Sequence, residues 1–459
     1  MLNKMKLLLF FLCAFLISSC KKDISITNYE EQDWLAGGSQ TVFETGSGAY
    51  SQTFPVKLSG TALENHEIGD ALFESTFITA PAPKNAGLGP LFNAVSCASC
   101  HNKDGRGSAP EDGGHSVSLF LKVSEPGVNE HGGPLDLPGF GVQIQPKATY
   151  GKQGEAEVNV HYTYETGTFE DGTTYELRKP TFTIDNPYIP LPGNYLFSPR
   201  FSRPVFGMGL LEAIAEATVL MNVDEYDLNN DGISGKANFV WNFHEQKMSL
   251  GRFGWKAGVP TVLQQVAAAF NQDIGLTNFI FPYENSFKQV QYDNLTDEVE
   301  LSDSLVYASA MYIRTLAVPA RRNVQDPEVI RGKQLFNDAA CVKCHTPKHK
   351  TKVNMAFPAL SNQTIYPYTD LLLHDMGPNL ADNRPEYLAE GVEWRTPPLW
   401  GIGLSQAVNN HSNFLHDGRA RNINEAILWH GGEASQSKIL YKKMSASDRK
   451  ALLKFLNSL

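Results

Sequence analysis

Apolar positions along the chain change period several times. From 115 to 200 they alternate with polar ones between turn signals, and "SVSLFLKV" (116–123), "GEAEVNVHYTYET" (154–166) and "TYELRKPTFTI" (174–184) predict strands. Helical spacing governs "GLLEAIAEATVLM" (209–221), "VPTVLQQVAAAFNQDI" (259–274) and "SDSLVYASAMYIRTLAVP" (302–319), the last closed by Pro319. Asp326-Pro327 reads as an N-cap and first helical residue, after which Val329, Gly332 and Phe336 recur on one face. The glycine lets another helix come close. The C-terminal "SASDRKALLKFLNSL", with Leu452, Leu453, Phe455 and Leu456 on an apolar face, is the expected partner. "IGDALFES" (68–75) echoes the same helix much earlier in the chain.

At 459 residues there is room for two or three domains, and 42% hydrophobic with 19% charged residues fits a folded globular protein. A formal charge of −10 argues against nucleic acid as a partner and leaves room for a basic protein partner. The N-terminus reads as an export signal: Lys4 and Lys6 precede "LLLFFLCAFLI" (7–17), too short a run to span a bilayer. It ends in "ISSC", which resembles a bacterial lipobox with Cys20 as the acylated residue. The expected product is an exported bacterial lipoprotein of the cell envelope, held at the outer membrane by its lipid alone, on the periplasmic or surface face. Residues 1–20 are therefore assigned to the signal and the Gly/Ser-rich stretch 21–60 to a polar tether.

Six cysteines sharpen the picture. Cys13 belongs to the signal and Cys20 to the lipid site. The other four form two motifs, "LFNAVSCASCH" (91–101) and "LFNDAACVKCH" (335–345), which share Leu, Phe, Asn, both Cys and His. Covalent haem attachment needs two thiols for the two vinyl groups of one porphyrin edge and an adjacent imidazole for the iron. Cys97, Cys100 and His101 supply one set; Cys341, Cys344 and His345 supply the other. A thioredoxin-like motif leaves the histidine unexplained twice, a four-cysteine zinc site leaves both histidines idle, and internal disulfides suit only an unloaded chain. The expected fold is mainly α: two cytochrome c-like haem domains, at 61–322 with a β-rich insertion and at 323–459. "DLNNDGISG" (227–235) sets Asp227, Asn229 and Asp231 at alternating positions before Gly232. This is the first half of a calcium loop, or an Asx-rich turn without metal, since Asn238 stands where the bidentate acid is expected.

With both motifs in this order, the chain resembles the bacterial dihaem oxidoreductases known as putative peroxidases or thiol oxidoreductases. They are relatives of dihaem cytochrome c peroxidase and of the dihaem enzyme of methylamine utilisation. The resemblance rests on "LPGFGVQIQ" (137–145), "FGMGLLEAI" (206–214), "DGISGKAN" (231–238), "LGRFGWKAGVPTVLQQVAAAFNQDIGLT" (250–277), "EWRTPPLWGIGL" (393–404) and "FLHDGRARNINEAILWHGGEAS" (414–435). It implies electron entry from a small redox protein, a cytochrome or cupredoxin, at the C-terminal haem. It also implies reduction of a small-molecule oxidant such as hydrogen peroxide at the N-terminal haem; the other expectation is a non-catalytic electron conduit.

In the peroxidases the last segment carries a methionine as sixth ligand of the C-terminal haem. His430 holds the matching position here, with Met376, Met444 and His374 as alternatives. Relatives also place a Gln and a Glu ten residues apart over the N-terminal haem, which Gln145 and Glu155 match; Gln143 and Glu157 are close substitutes. His115 is a candidate displaceable ligand of that haem, and Trp255 a candidate relay between the two. Thiol–disulfide chemistry fits poorly, because two haems consume every mature thiol except Cys20.

Overall fold

Two helix crossings organise the chain. The computed structural model describes residues 32–459 apart from 57, 293, 295–298 and 355, so the export signal and Cys20 lie outside the described residues. Helix α1 (Thr61–Glu74) crosses α2 (Asp303–Thr315) at Gly69. A Cβ added there would lie 2.3 Å from the Ala308 carbonyl oxygen and 2.7 Å from the Tyr312 Cβ. Helix α3 (Pro327–Asp338) crosses α4 (Ala446–Ser458) at Gly332, where the same distances are 2.1 Å to the Ala451 oxygen and 2.6 Å to the Phe455 Cβ. Only glycine permits so close an approach.

The correspondence continues one turn further along each helix. Phe73 stands 6.2 Å from the His101 ring at 50°, and Phe336 stands 6.2 Å from the His345 ring at 51°. Each phenylalanine also meets an aromatic of the crossing helix, Tyr312 at 5.4 Å and Phe455 at 5.3 Å. The likeness between the two sequence motifs is thus a likeness of packing. As expected, Asp326 caps α3, its carboxylate accepting from the Glu328 and Val329 backbone N–H groups.

Helix makes up 28% and strand 20% of the chain, so the fold is mixed rather than mainly α. The difference lies between the helix pairs. Strand β1 (Leu119–Val128) pairs antiparallel with β4 (Leu196–Phe201). Between them β2 (Glu157–Thr168) and β3 (Thr174–Asp185) form a long hairpin, in register from Glu157 opposite Asp185 to Thr168 opposite Thr174. The helix expected over 209–221 is two short ones, Met208–Glu212 and Glu216–Leu220, because Ile214 leaves helical geometry to bridge to Thr351. That expected over 259–274 begins at Val262, capped by Thr261, and ends in a π-helical turn, Phe270–Ile274.

Residues Trp34–Leu459 form one unit. The described part of the expected tether is not free: Thr41–Val42 pairs in parallel with Val318–Pro319, and the fully buried Tyr50 donates to the Gly401 carbonyl at 2.7 Å. Tyr50 and Phe54 are its buried anchors, while Phe43 stays exposed. The 323 boundary marks the link between the helix pairs, yet packing crosses it. Leu371, Leu372, Trp400 and Leu404 join the core of the first pair. In the other direction, Phe169 and Leu177 of the hairpin join the core of the second. Arg449 lies 3.9 Å over the Phe169 ring, and Arg178 donates to the Gly418 carbonyl at 2.7 Å.

Candidate functional site

Ser96 starts the first motif by accepting from the Ser99 N–H, and the turn Cys97–Cys100 ends with the His101 N–H donating to the Cys97 carbonyl. The His101 Nδ1 lies 2.7 Å from the Arg203 carbonyl oxygen, which fixes the ring. Burial lowers the pKa of this imidazole to about 4, so it stays neutral with a lone pair to offer. Iron-ligating histidines are oriented in this way, by a partner on the far ring nitrogen. Burial pushes the Cys97 thiol up to about 12 and raises Cys100 as well. Such thiols are poor thiolates, which speaks against redox exchange by them.

Cys97, Cys100 and His101 line a cavity of about 950 Å³, within the ~300–1,000 Å³ range of cofactor sites. Lys122, Arg200, Arg203 and Arg384 stand in the same wall. Gln143 and Gln145 line it too. Gln143 Nε2 donates to Asn93 Oδ1 at 2.6 Å and Asp273 Oδ1 at 2.8 Å, and Gln145 Nε2 donates to the Gln272 carbonyl. The side-chain oxygens of both glutamines are buried without a donor. Two orphaned acceptors on a cavity wall await a ligand that brings hydrogens.

Glu155 stands one layer behind. Its Oε2 accepts from the Gln145 N–H at 2.6 Å, while the Gln145 carbonyl accepts from the Glu155 N–H at 2.7 Å. Burial raises the Glu155 carboxyl well above its ordinary range, against the stabilising Gln145 N–H and Gln289 amide. The structure thus joins Gln145 and Glu155 but leaves only the glutamine in the wall. Glu157 is exposed at the start of β2. His115 is exposed and stands outside the cavity lining.

Asp273 was not anticipated. It lines the cavity from the π-helical turn, and burial raises its carboxyl, partly offset by Lys122 and Gln143. The polar "NQD" closing an apolar helix was the signal available in the sequence; π-turns of this kind recur at functional sites.

The second motif repeats the arrangement. The His345 Nδ1 lies 3.0 Å from the Tyr368 carbonyl, and burial lowers its pKa to about 4. His430, at the end of the helix Ile423–Trp429, lies 2.7 Å through Nδ1 from the Ala426 carbonyl and is close enough to disfavour charge on His345. His374 cannot ligate in the same way, because its ring nitrogens lie 2.8 Å from Asp370 and 2.7 Å from Glu433. Met376 and Met444 pack against this core. The buried Trp429 Nε1, beside His430, has no acceptor.

Trp255 lines the first cavity and donates to the Phe201 carbonyl at 2.9 Å. Its ring meets His416 edge-on at 6.4 Å, and His416 stacks on Trp394 at 3.8 Å. The expected relay residue therefore meets His416 and, through it, Trp394.

The calcium expectation does not fit. Asp227 accepts from the Asp231 and Gly232 N–H groups, Asn229 from the Asp231 N–H, and Asp231 from the Ile233 N–H and Lys343. Their oxygens are spent on an Asx-type turn. Among the described residues no group of three or more His, Cys, Asp or Glu side chains is placed to hold a metal ion, which also disfavours a four-cysteine site.

A model of the family described as "Di-haem oxidoreductase, putative peroxidase" matches residues 31–459. The chain belongs to that family. No curated protein and no solved structure matches it. For a di-haem oxidoreductase, two C-x-x-C pairs fit two haem sites. The side chains agree with the group: paired half-buried thiols, neutral imidazoles anchored through Nδ1, and cations in the cavity wall for propionates.

Proposed function

We propose that this di-haem oxidoreductase reduces hydrogen peroxide or a related small oxidant at the His101 site, drawing electrons through the His345 site from a small redox protein. In this reading the two halves are cytochrome c-like, and the mature chain is an exported lipoprotein acylated at Cys20. The observation that carries it is an asymmetry. Among the described residues His101 is the only histidine lining its cavity, whereas His430 and His374 both lie close enough to His345 to disfavour charge on it, and of these His374 is engaged by carboxylates. Haem bound at the two sites would supply redox-active iron, open to a small ligand where no second imidazole competes and closed where one does.

The chain's own groups serve the proton side. Peroxide reduction takes up two electrons and two protons and yields two waters. Gln143 and Gln145 present acceptor oxygens that orient a hydrogen-bearing oxidant. Glu155 behind Gln145 and Asp273 beside Gln143, both with carboxyls raised by burial, are the groups placed to hand on protons. A non-catalytic electron conduit is the second reading, favoured by Met208, whose side chain also lines the cavity.

The optical spectrum of the purified protein decides between them. A high-spin, five-coordinate haem that responds to hydrogen peroxide is expected. Two low-spin haems indifferent to peroxide leave the conduit.

A further inference from the structure

We propose that Arg395 is the counter-ion of a haem propionate and tunes the reduction potential of the haem whose propionate it holds. Strands β5 (Leu373–Asp375) and β6 (Glu393–Arg395) pair with Leu373 opposite Arg395. The Arg395 backbone N–H donates to the Trp255 carbonyl at 2.9 Å, and its Nε donates to the Gly254 carbonyl at 3.1 Å. Gly254 and Trp255 both line the first cavity. Its Nη1 donates to the Thr396 carbonyl at 3.2 Å. The neighbouring residue on β5, His374, lies 3.5 Å from the Cys344 sulfur. The guanidinium therefore sits where the wall of the first site meets the strand flanking the second.

Arg395 is 2% exposed, and among the described residues no carboxylate pairs with it. Buried cations nearby are treated differently. Lys256 has Asp382 at 3.0 Å, Arg200 has Glu386 at 2.6 Å, and Arg419 has Asp417 at 2.6 Å. Carbonyl oxygens solvate the Arg395 charge without neutralising it, and a buried charge left unpaired is strongly unfavourable. Haem attachment brings two carboxylates per porphyrin, and a guanidinium fork matches one of them in a bidentate pair. The proposal rests on the haem reading and not on peroxide chemistry.

The test is a redox titration of the haem-loaded protein. Removing the cation favours ferric iron, so Arg395→Met should lower one of the two midpoint potentials by at least a tenfold change in the reduction equilibrium, ~59 mV for one electron. Arg395→Lys should retain most of the wild-type value. Should Arg395→Met fail to fold, Arg395→Gln removes the charge at similar length and the same fall is expected. Both potentials within threefold of wild type, in a neutral variant carrying two haems, would overturn the proposal. A wild-type mass lacking two porphyrins would instead count against the haem reading itself.

Discussion

Gly332 and Ala451 touch so closely that a Cβ on the glycine would stand 2.1 Å from the alanine's carbonyl oxygen. That contact holds Phe336 against His345, and Gly69 with Ala308 does the same for Phe73 and His101. Gly332→Ala should therefore cost about 1–3 kcal/mol by overpacking and reduce haem content at Cys341 and Cys344 alone. Gly69→Ala should spare that site and deplete the first. Thermal unfolding and haem-peptide masses read both effects; equal loss at both sites would show that the two clamps do not act independently.

Replacing His430 by methionine should raise the potential of one haem, within the ~0.8 V over which axial ligands move it. His374→Ala should leave ligation intact, because both ring nitrogens of His374 are already engaged by carboxylates. Spectra and redox titration check the pair. An unmoved potential in His430→Met would pass the ligand role to Met376 or Met444.

Peroxide turnover should fall in Glu155→Gln, with both haems retained, by the ~10²–10⁴-fold typical of a lost acid–base group. Asp273→Asn is the informative companion, since Asp273 reaches the cavity and Glu155 does not. Stopped-flow turnover that slows only in Asp273→Asn would move the proton-handling role to the π-turn.

Asp104 gives a pH prediction. Burial raises its carboxyl from 3.8 to about 6, against hydrogen bonds from Ser51 and Tyr312. The folded state binds the extra proton, so stability falls as pH rises from about 4 through 6 and the loss is complete above that. A shift of this size is on the order of 2–3 kcal/mol. Asp104→Asn keeps an acceptor for the Tyr312 hydroxyl and tolerates the left-handed backbone at φ 57°. It should be more stable than wild type at pH 8 and equal to it near pH 3.5; denaturant melts at the two pH values check the sign.

Local chemistry was legible in the sequence. The C-x-x-C-H spacing, the Asp326 cap and the close-packing Gly332 each depend on neighbours in the chain or on one helix face, and each reappears as expected. The strands β2 and β3 followed from their alternation, though not their pairing. Long-range assembly was not legible: composition at 21–60 suggested a tether, while Tyr50 finds its partner at Gly401. Asp273 and the His416–Trp394 stack were missed because no spacing rule links residues brought together from distant segments. The calcium pattern misled because the same Asx residues serve equally well to cap backbone amides.

The hairpin whose Phe169 and Arg178 reach the second core works as a rivet between the two halves. With the halves pinned, the gap that an electron would cross in the proposed relay is set once, at folding, and does not wait on a hinge. Its transit time between the centres should then be indifferent to solvent viscosity.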